Sequence, residues 1–325
     1  MKPILSHIII HSLQKKILKS MGLKSVNSFE PLHEPGRRMT DLGELWVNDV
    51  RYGDTYPNSY CDIWFPDKDT KKKRPTIFYF HGGGFFFGSK TMGDPLAAKP
   101  AENERFISEF LREGFNLVNA DYALTTDYIF PVPILQMNEL FAFFLKHGEE
   151  YGISMDQVIL MGGSAGADMS EIYGAAVNNP DYAKKLGFTP VLDETRIKAL
   201  IIDESALSID TFNFSMNVMF KTFMGTSNMK EEKAQLLDAS KFIVRKYIPA
   251  FINSSNQEPW FLKSAEDLKR AVERYGSEYE YCYFPPEVDA LEHGYMNRYS
   301  KNACARECLD RMIAFAKKYT EVKEK

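Results

Sequence analysis

The stretch Val158-Ile159-Leu160-Met161-Gly162-Gly163-Ser164-Ala165-Gly166 constrains this chain more than any other. An apolar run of strand type stops at two glycines, a serine follows, and small residues of helical character continue to about Val177. The pattern is G-x-S-x-G, the strand-to-helix turn known as a nucleophile elbow. Its composition answers crowding: a serine at the apex of so sharp a turn is strained, and only very small neighbours let strand and helix approach. The hydroxyl is then held clear of the sheet. The next backbone N–H lies at a helix N-terminus, where developing negative charge is favoured. Alone, the pattern also fits an ordinary glycine-rich turn, so the rest of the chain must decide.

Around this turn the middle of the chain alternates strand and helix. Pro75 to Phe80 is a short apolar run suited to the buried middle of a sheet, and it ends in His81-Gly82-Gly83-Gly84. A helix is expected from about Ala101 to Glu113, a strand from Phe115 to Asn119, and a helix from about Ile134 to Tyr151. Further strands are expected at Ile197 to Asp203, Pro249 to Ile252 and Tyr279 to Phe284. A helix from about Phe261 to Tyr275 separates the last two, and a final helix runs from about Asn297 to Tyr319. That alternation is the signature of an α/β fold, a mainly parallel sheet covered on both faces.

Before this region, Glu44 to Val50 and Tyr60 to Phe65 read as strands, and Leu23 to Gly43 reads as a polar linker. The N-terminal apolar stretch from Ile4 to His11 is short and broken by His7 and His11, so an amphipathic helix to about Lys19 is expected rather than a signal peptide or a span. Contact of that helix with a membrane surface is left open. Ala206 to about Lys246 lacks strand alternation and is rich in Phe and Met; it is expected to be a mainly helical insertion over the sheet. Met216, Met219, Phe220, Phe223 and Met224 recur there at helical spacing and suit core packing better than a substrate-facing surface.

The net charge of -4 gives no reason to expect nucleic acid as a partner. Four scattered cysteines, Cys61, Cys282, Cys304 and Cys308, form neither a zinc pattern nor a disulfide framework, which fits a reducing, cytoplasmic setting. No metal site is expected. Oligomeric state, a homodimer included, is left open.

Three stations now fall at strand C-terminal ends, where open α/β sheets place their ligands. Ser164 follows one strand, His293 follows the last, and an acidic residue is expected between them. A serine hydroxyl is a weak nucleophile and needs a base; the base needs a carboxylate to fix its tautomer. Asp203, Glu204, Glu258, Asp289 and Glu292 are all candidates for that acid, and the choice among them stays open at this point.

His81-Gly82-Gly83-Gly84 taken with Gly162 to Gly166 resembles the hormone-sensitive-lipase-like branch of the α/β-hydrolase esterases. Asp121-Tyr122 with Phe130-Pro131, and His293-Gly294-Tyr295, extend the likeness from about Val47 to the C-terminus. The resemblance implies an eight-stranded, mostly parallel sheet with helices on both faces and a small helical cap. It also implies hydrolysis of carboxylic esters without a cofactor. The organisation expected is residues 1–43 as N-terminal helix and linker, joining the cap, and residues 44–325 as the hydrolase domain with a cap-like insertion at about 206–246.

Carried over residue by residue, the resemblance makes Ser164 the nucleophile and His293 the general base. Backbone N–H groups of Gly83, Gly84 and Ala165 become the oxyanion hole, and His81 braces its loop. Glu258 occupies the place where relatives carry the triad Asp. Gly163 stands where many relatives have Asp, and Asp168 reads as a complement to the helix dipole. The expected activity is a serine carboxylesterase acting on short acyl chains, because Phe85-Phe86-Phe87 after the oxyanion loop would crowd the entrance. An amidase such as an arylformamidase, or a peptidase, would share the same acyl chemistry. A non-catalytic binding homologue would be expected to have lost the serine, the base or the glycines.

Overall fold

Residues 3–21, 25–29, 31, 33–90 and 103–320 are described by the structure, a computed structural model. Helix α1 (Pro3–Met21) opens the chain, followed by strands β1 (Gly36–Met39), β2 (Leu45–Arg51), β3 (Tyr60–Phe65) and β4 (Thr76–Phe80). Then come α2 (Asn103–Arg112), β5 (Asn116–Ala120), α3 (Val132–Tyr151), β6 (Val158–Gly163), α4 (Ala165–Asn178), α5 (Pro180–Leu186) and β7 (Ile197–Asp203). The remainder is α6 (Phe214–Met224), the single turn α7 (Glu232–Gln235), β8 (Ala250–Asn253), α8 (Pro259–Arg274), β9 (Tyr279–Cys282) and α9 (Ala303–Tyr319).

The described strands form one nine-stranded sheet in the order β1-β2-β3-β5-β4-β6-β7-β8-β9. Pairing is antiparallel from β1 through β3 to β5 and parallel from β5 to β9. Strands alternate faces at every residue, yet here both faces are apolar. Ile77, Ile159, Ile201 and Phe251 pack beneath α2 and α9, whereas Phe78, Leu160, Leu200 and Ile252 belong to the larger core under α3, α4 and α8. Burial on both sides is why these strands read as continuous apolar runs.

The expected eight strands become nine because β1 lies inside the stretch read as a linker. Gly-Arg-Arg-Met has no strand signature; it gains its order from the open edge of β2, where Arg37 pairs with Val47 and Arg38 with Trp46. The preceding strap is also held down. Asn27 donates to the Leu124 carbonyl and accepts from the Leu124 N–H, both at 2.7 Å. Helix α5 was not signalled by periodicity; Asn179 starts it by accepting from the N–H groups of Asp181 and Tyr182. The final helix begins later than expected, at Ala303, where Asn302 caps it. The expected start of α2 at Ala101 lies outside the described residues.

Of the 206–246 insertion, only α6 is a full helix; the rest is short turns. Helix α1 packs against α6, with Ile10 buried among Phe86, Val218 and Met219. Gln14, also buried, donates its side-chain amide to the carbonyls of Phe86 and Thr125. The N-terminal helix is thereby fastened to the loop that follows β4.

A buried charge cluster fixes the far end of that loop. Lys90 Nζ lies 2.5 Å from Asp49 Oδ1 and 2.7 Å from Asp62 Oδ1, while its backbone N–H donates to Asp121. Burial opposes the charge on Lys90, but Asp62, Asp121 and Asp49 outweigh it and raise its pKa. Substituting Lys90→Met strands these carboxylates without a counter-charge. We expect it to cost about 3–5 kcal/mol of unfolding free energy, read as a lower urea midpoint in equilibrium unfolding.

Candidate active site

The elbow is as crowded as its sequence demands. Ser164 sits at φ 54° and ψ −119°, a strained conformation for a residue with a side chain. A Cβ on Gly166 would lie 1.9 Å from the Phe80 carbonyl oxygen, and one on Gly162 would lie 2.2 Å from the Gly166 carbonyl carbon. No larger residue fits at either position. Ser164 is anchored by its own backbone: its N–H donates to Asp203 at the end of β7 (2.8 Å), and its carbonyl accepts from Asp168 N–H (2.9 Å) to begin α4.

The loop from His81 to Gly88 wraps beside it. A Cβ on Gly82 would come within 3.3 Å of Ser164 Cβ. Gly83 (φ 105°) and Gly84 (φ 62°) occupy left-handed backbone, and a Cβ on Gly83 would meet the Phe87 carbonyl oxygen at 2.1 Å. His81 is buried and stacked on Tyr122 at 4.2 Å, and its Nδ1 donates to the Gly82 carbonyl at 2.7 Å. Burial lowers its pKa to about 4, so it is neutral near pH 7. His81 therefore packs and hydrogen-bonds within the loop.

His293 lies in the loop after β9, its ring stacked on Phe261 with centroids 4.0 Å apart. The carboxylate at its ring is Glu204, not Glu258. Glu204 Oε2 is 3.2 Å from His293 Nδ1 and also accepts the Gly294 N–H at 2.7 Å. Glu204 is the first residue after β7, buried, with φ 61°, and its N–H donates to the Asn253 carbonyl. Glu258 instead receives the backbone N–H of His293, at 3.2 and 3.3 Å from its two oxygens. The family position of the acid, at the start of α8, thus holds the histidine's backbone, and the position one strand earlier holds its ring.

The other candidate acids are engaged elsewhere. Asp203 is half-buried and accepts from the Asn253 side chain; loss of hydration and the neighbouring Glu204 raise its pKa. Asp289 accepts from Asn302, and Glu292 pairs with Arg298. Burial also pulls the His293 imidazole down, but the hydrogen bond and charge of Glu204, aided by Asp203 and Glu258, leave its pKa above the ordinary value. Asp168 is buried beneath the site and accepts the Ala206 N–H at 2.7 Å; burial raises its pKa to about 7.

Ser164, Ala165, Gly83, Gly84 and His293 line a single cavity of about 350 Å³. Its apolar wall comes from Phe86, Phe87, Trp260 and, on α6, Met216, Met219 and Phe220. Three of the insertion's Met and Phe side chains therefore face the cavity, whereas Phe223 and Met224 are core. Phe85 does not crowd the entrance: it is fully buried, stacked on Phe223 at 3.8 Å. Among the described residues no group of three His, Cys, Asp or Glu could hold a metal ion, and all four cysteines are free and buried.

Glu204 carried a signal that sequence reasoning underused. Ile197 to Asp203 is an apolar strand with two acids at its C-terminal end, the edge where the serine and histidine also emerge.

Comparison with known proteins follows the same lines. The BD-FAE family model matches residues 61–268. Arylacetamide deacetylase of Oryctolagus cuniculus is 26% identical over 217 residues, 63% of this chain and 51% of that protein. An esterase of Gibberella moniliformis is 29% identical over 149 residues, 42% of this chain and 43% of that protein. The aligned region thus spans about half or less of these relatives' own length. Esterase B from Lactobacillus rhamnosis superposes with a TM-score of 0.73 at 15% identity, covering 97% of this chain and 96% of that one. An esterase from the bacterial hormone-sensitive lipase family gives a TM-score of 0.62 at 16% identity, covering 95% and 90%. The chain belongs to the BD-FAE family, and its fold is that of the α/β-hydrolase esterases, the hormone-sensitive-lipase group among them.

Proposed function

We propose that the protein is a serine carboxylesterase with Ser164 as nucleophile, His293 as general base and Glu204 as the acid that orients it. The observation that carries this reading is convergence in one cavity. A strained serine, two left-handed glycines and a histidine with a carboxylate on Nδ1 line or adjoin the same space. With Glu204 accepting from Nδ1–H, Nε2 is free to take the Ser164 proton. Ser164 Oγ adds to the ester carbonyl, and the oxyanion is received by the N–H groups of Gly83, Gly84 and Ala165. Collapse expels the alcohol, which takes its proton from His293. Water, deprotonated by the same histidine, then releases the acid from the acyl-enzyme.

A cavity of about 350 Å³ is at the small end for ligand sites and supports a short acyl chain. We infer that α1 and the 206–246 insertion act together as the cap over a core of residues 44–325, since α6 supplies one cavity wall and α1 packs behind it. The four free thiols support a reducing compartment such as the cytoplasm. Amide hydrolysis is the second reading, favoured by the name of one relative, the arylacetamide deacetylase.

Hydrolysis of p-nitrophenyl esters from acetate to laurate tests the proposal. Turnover is expected to fall steeply beyond butyrate and to vanish in a folded Ser164→Ala protein; an active, folded variant would overturn the mechanism. For the acid, Glu204→Gln should lower kcat by roughly 10³- to 10⁴-fold, the scale seen when a triad acid is neutralised. Glu258→Gln, which still accepts the His293 N–H, should cost less than about 10-fold. The reverse ranking returns the role to Glu258. The pH profile gives an independent readout. The base works when neutral, and its pKa lies above the ordinary 6.5, so the acidic limb of kcat/KM should fall above that pH. Glu204→Gln removes the charge that holds the proton on and should move the limb to lower pH.

A further inference from the structure

Helices α1 and α6, which pack on each other beside the cavity wall, differ from the rest of the described molecule in two independent ways. The first is exposed apolar area. Among the described residues the large hydrophobics left in solvent include Ile8 (56% exposed), Ile9 (40%) and Leu13 (42%) on α1, Phe214 (71%) on α6, and Phe87 (41%) at the cavity rim. Four of the eleven such residues lie on α1 and α6, which hold only 19 and 11 residues, and Phe87 makes a fifth at the rim. The inward side of α1 is already satisfied, with Ile10 and Gln14 buried against the oxyanion loop. The exposed residues are therefore not awaiting a place in the core.

The second is charge. The chain as a whole is acidic, at -4, yet α1 and α6 contain no Asp or Glu and carry Lys15, Lys16, Lys19 and Lys221. Lys15 and Lys16 are exposed on the same helix as Ile8, Ile9 and Leu13. Isoleucines and leucine beside lysines, with no acid among them, complement a surface that is apolar within and anionic at its rim. That is the chemistry of an anionic lipid bilayer's interface. Long lysine stems can lie along apolar surface while their ammonium groups reach phosphate. No described helix is long and apolar enough to cross a membrane, so the contact is one of lying on the surface. A second copy of this chain suits the face less well, because a two-fold interface would set the two lysine-bearing helices against each other.

We propose that α1 and the exposed N-terminal end of α6 form a docking face for anionic lipid surfaces, with the cavity mouth beside it. Apolar esters partitioned into the lipid would then meet the Phe87 rim without crossing bulk water. The inference rests on exposure and charge and does not depend on the esterase reading.

Co-sedimentation of the full chain with vesicles tests it, comparing phosphatidylcholine alone with phosphatidylcholine containing a quarter phosphatidylglycerol. Binding is expected only to the anionic vesicles and should weaken as salt is raised. Lys15→Glu with Lys16→Glu should reduce partitioning at least about 10-fold. Ile8→Ser with Leu13→Ser should also reduce it, which separates lipid insertion from simple charge attraction. Both double variants should keep the far-UV circular dichroism and the melting transition of the unaltered protein, showing that they fold. No binding to anionic vesicles, equal binding to neutral ones, or indifference to the isoleucine and leucine changes would overturn the proposal. So would a concentration-dependent dimer in sedimentation velocity that Ile8→Ser with Leu13→Ser dissociates, since the face would then belong to a second copy.

Discussion

The contact on which the site depends is between backbone atoms. The Phe80 carbonyl at the end of β4 presses so closely on Gly166 that a methyl group would sit 1.9 Å from it. That approach brings the end of β4 against the start of α4, and so sets the glycine loop from His81 to Gly88 beside the serine. The same crowding forces Ser164 to φ 54°. Strain of this kind, of order 1–3 kcal/mol, persists only when the surroundings over-determine it. Here the surroundings are the parallel pairing of β4, β6 and β7, and the bond from Ser164 N–H to Asp203.

Around this backbone knot, buried polar groups fix the loops that the sheet alone would leave loose. Lys90 and its aspartates hold the end of the glycine loop, and Tyr122 donates its hydroxyl to the His81 carbonyl at the beginning. On the histidine side, Tyr295 donates to Asn253 (2.6 Å), and Asn253 donates to Asp203. The loop after β9 is thereby tied to the ends of β7 and β8. Glu204 and Glu258 add carboxyl acceptors for two successive N–H groups, Gly294 and His293. A buried acid such as Glu204 is costly unless paired. In this molecule that cost serves to define where an imidazole stands.

The cavity follows from a division of labour between the two parts of the chain. The sheet contributes Ser164 and His293 from the segments after its strands, and the insertion contributes the wall through Met216, Met219 and Phe220. Methionine and phenylalanine at helical spacing fit core and cavity equally, because both need apolar, adaptable surface. Only the way α6 lies over the sheet separates Phe223, which stacks in the core, from Phe220, which faces the cavity. The same ambiguity covers Phe85, Phe86 and Phe87: adjacent residues of one type, sent respectively to core, buried rim and solvent-facing rim by the left-handed turn at Gly83 to Phe85.

Local chemistry was enough to read the elbow, the glycine loop, the strand–helix alternation and the histidine after the last strand. Each is a short-range demand, for a missing Cβ, a period or a turn, and each is written in a few neighbouring residues. What lies between distant segments was not legible. Edge strand β1 exists because β2 offers it free hydrogen-bonding groups, and nothing in Gly-Arg-Arg-Met announces that. The acid is the sharpest case. Position relative to a family pattern pointed to Glu258, and both glutamates do meet His293, one at the backbone and one at the ring. Which does which depends on how far β7 and β8 extend and on where the loop after β9 returns. A carboxylate's role is set by the atom it reaches across the fold. The sequence by itself placed a serine after one strand and a histidine after the last; the tertiary structure alone decided that both would line one cavity and that Glu204 would stand behind the histidine.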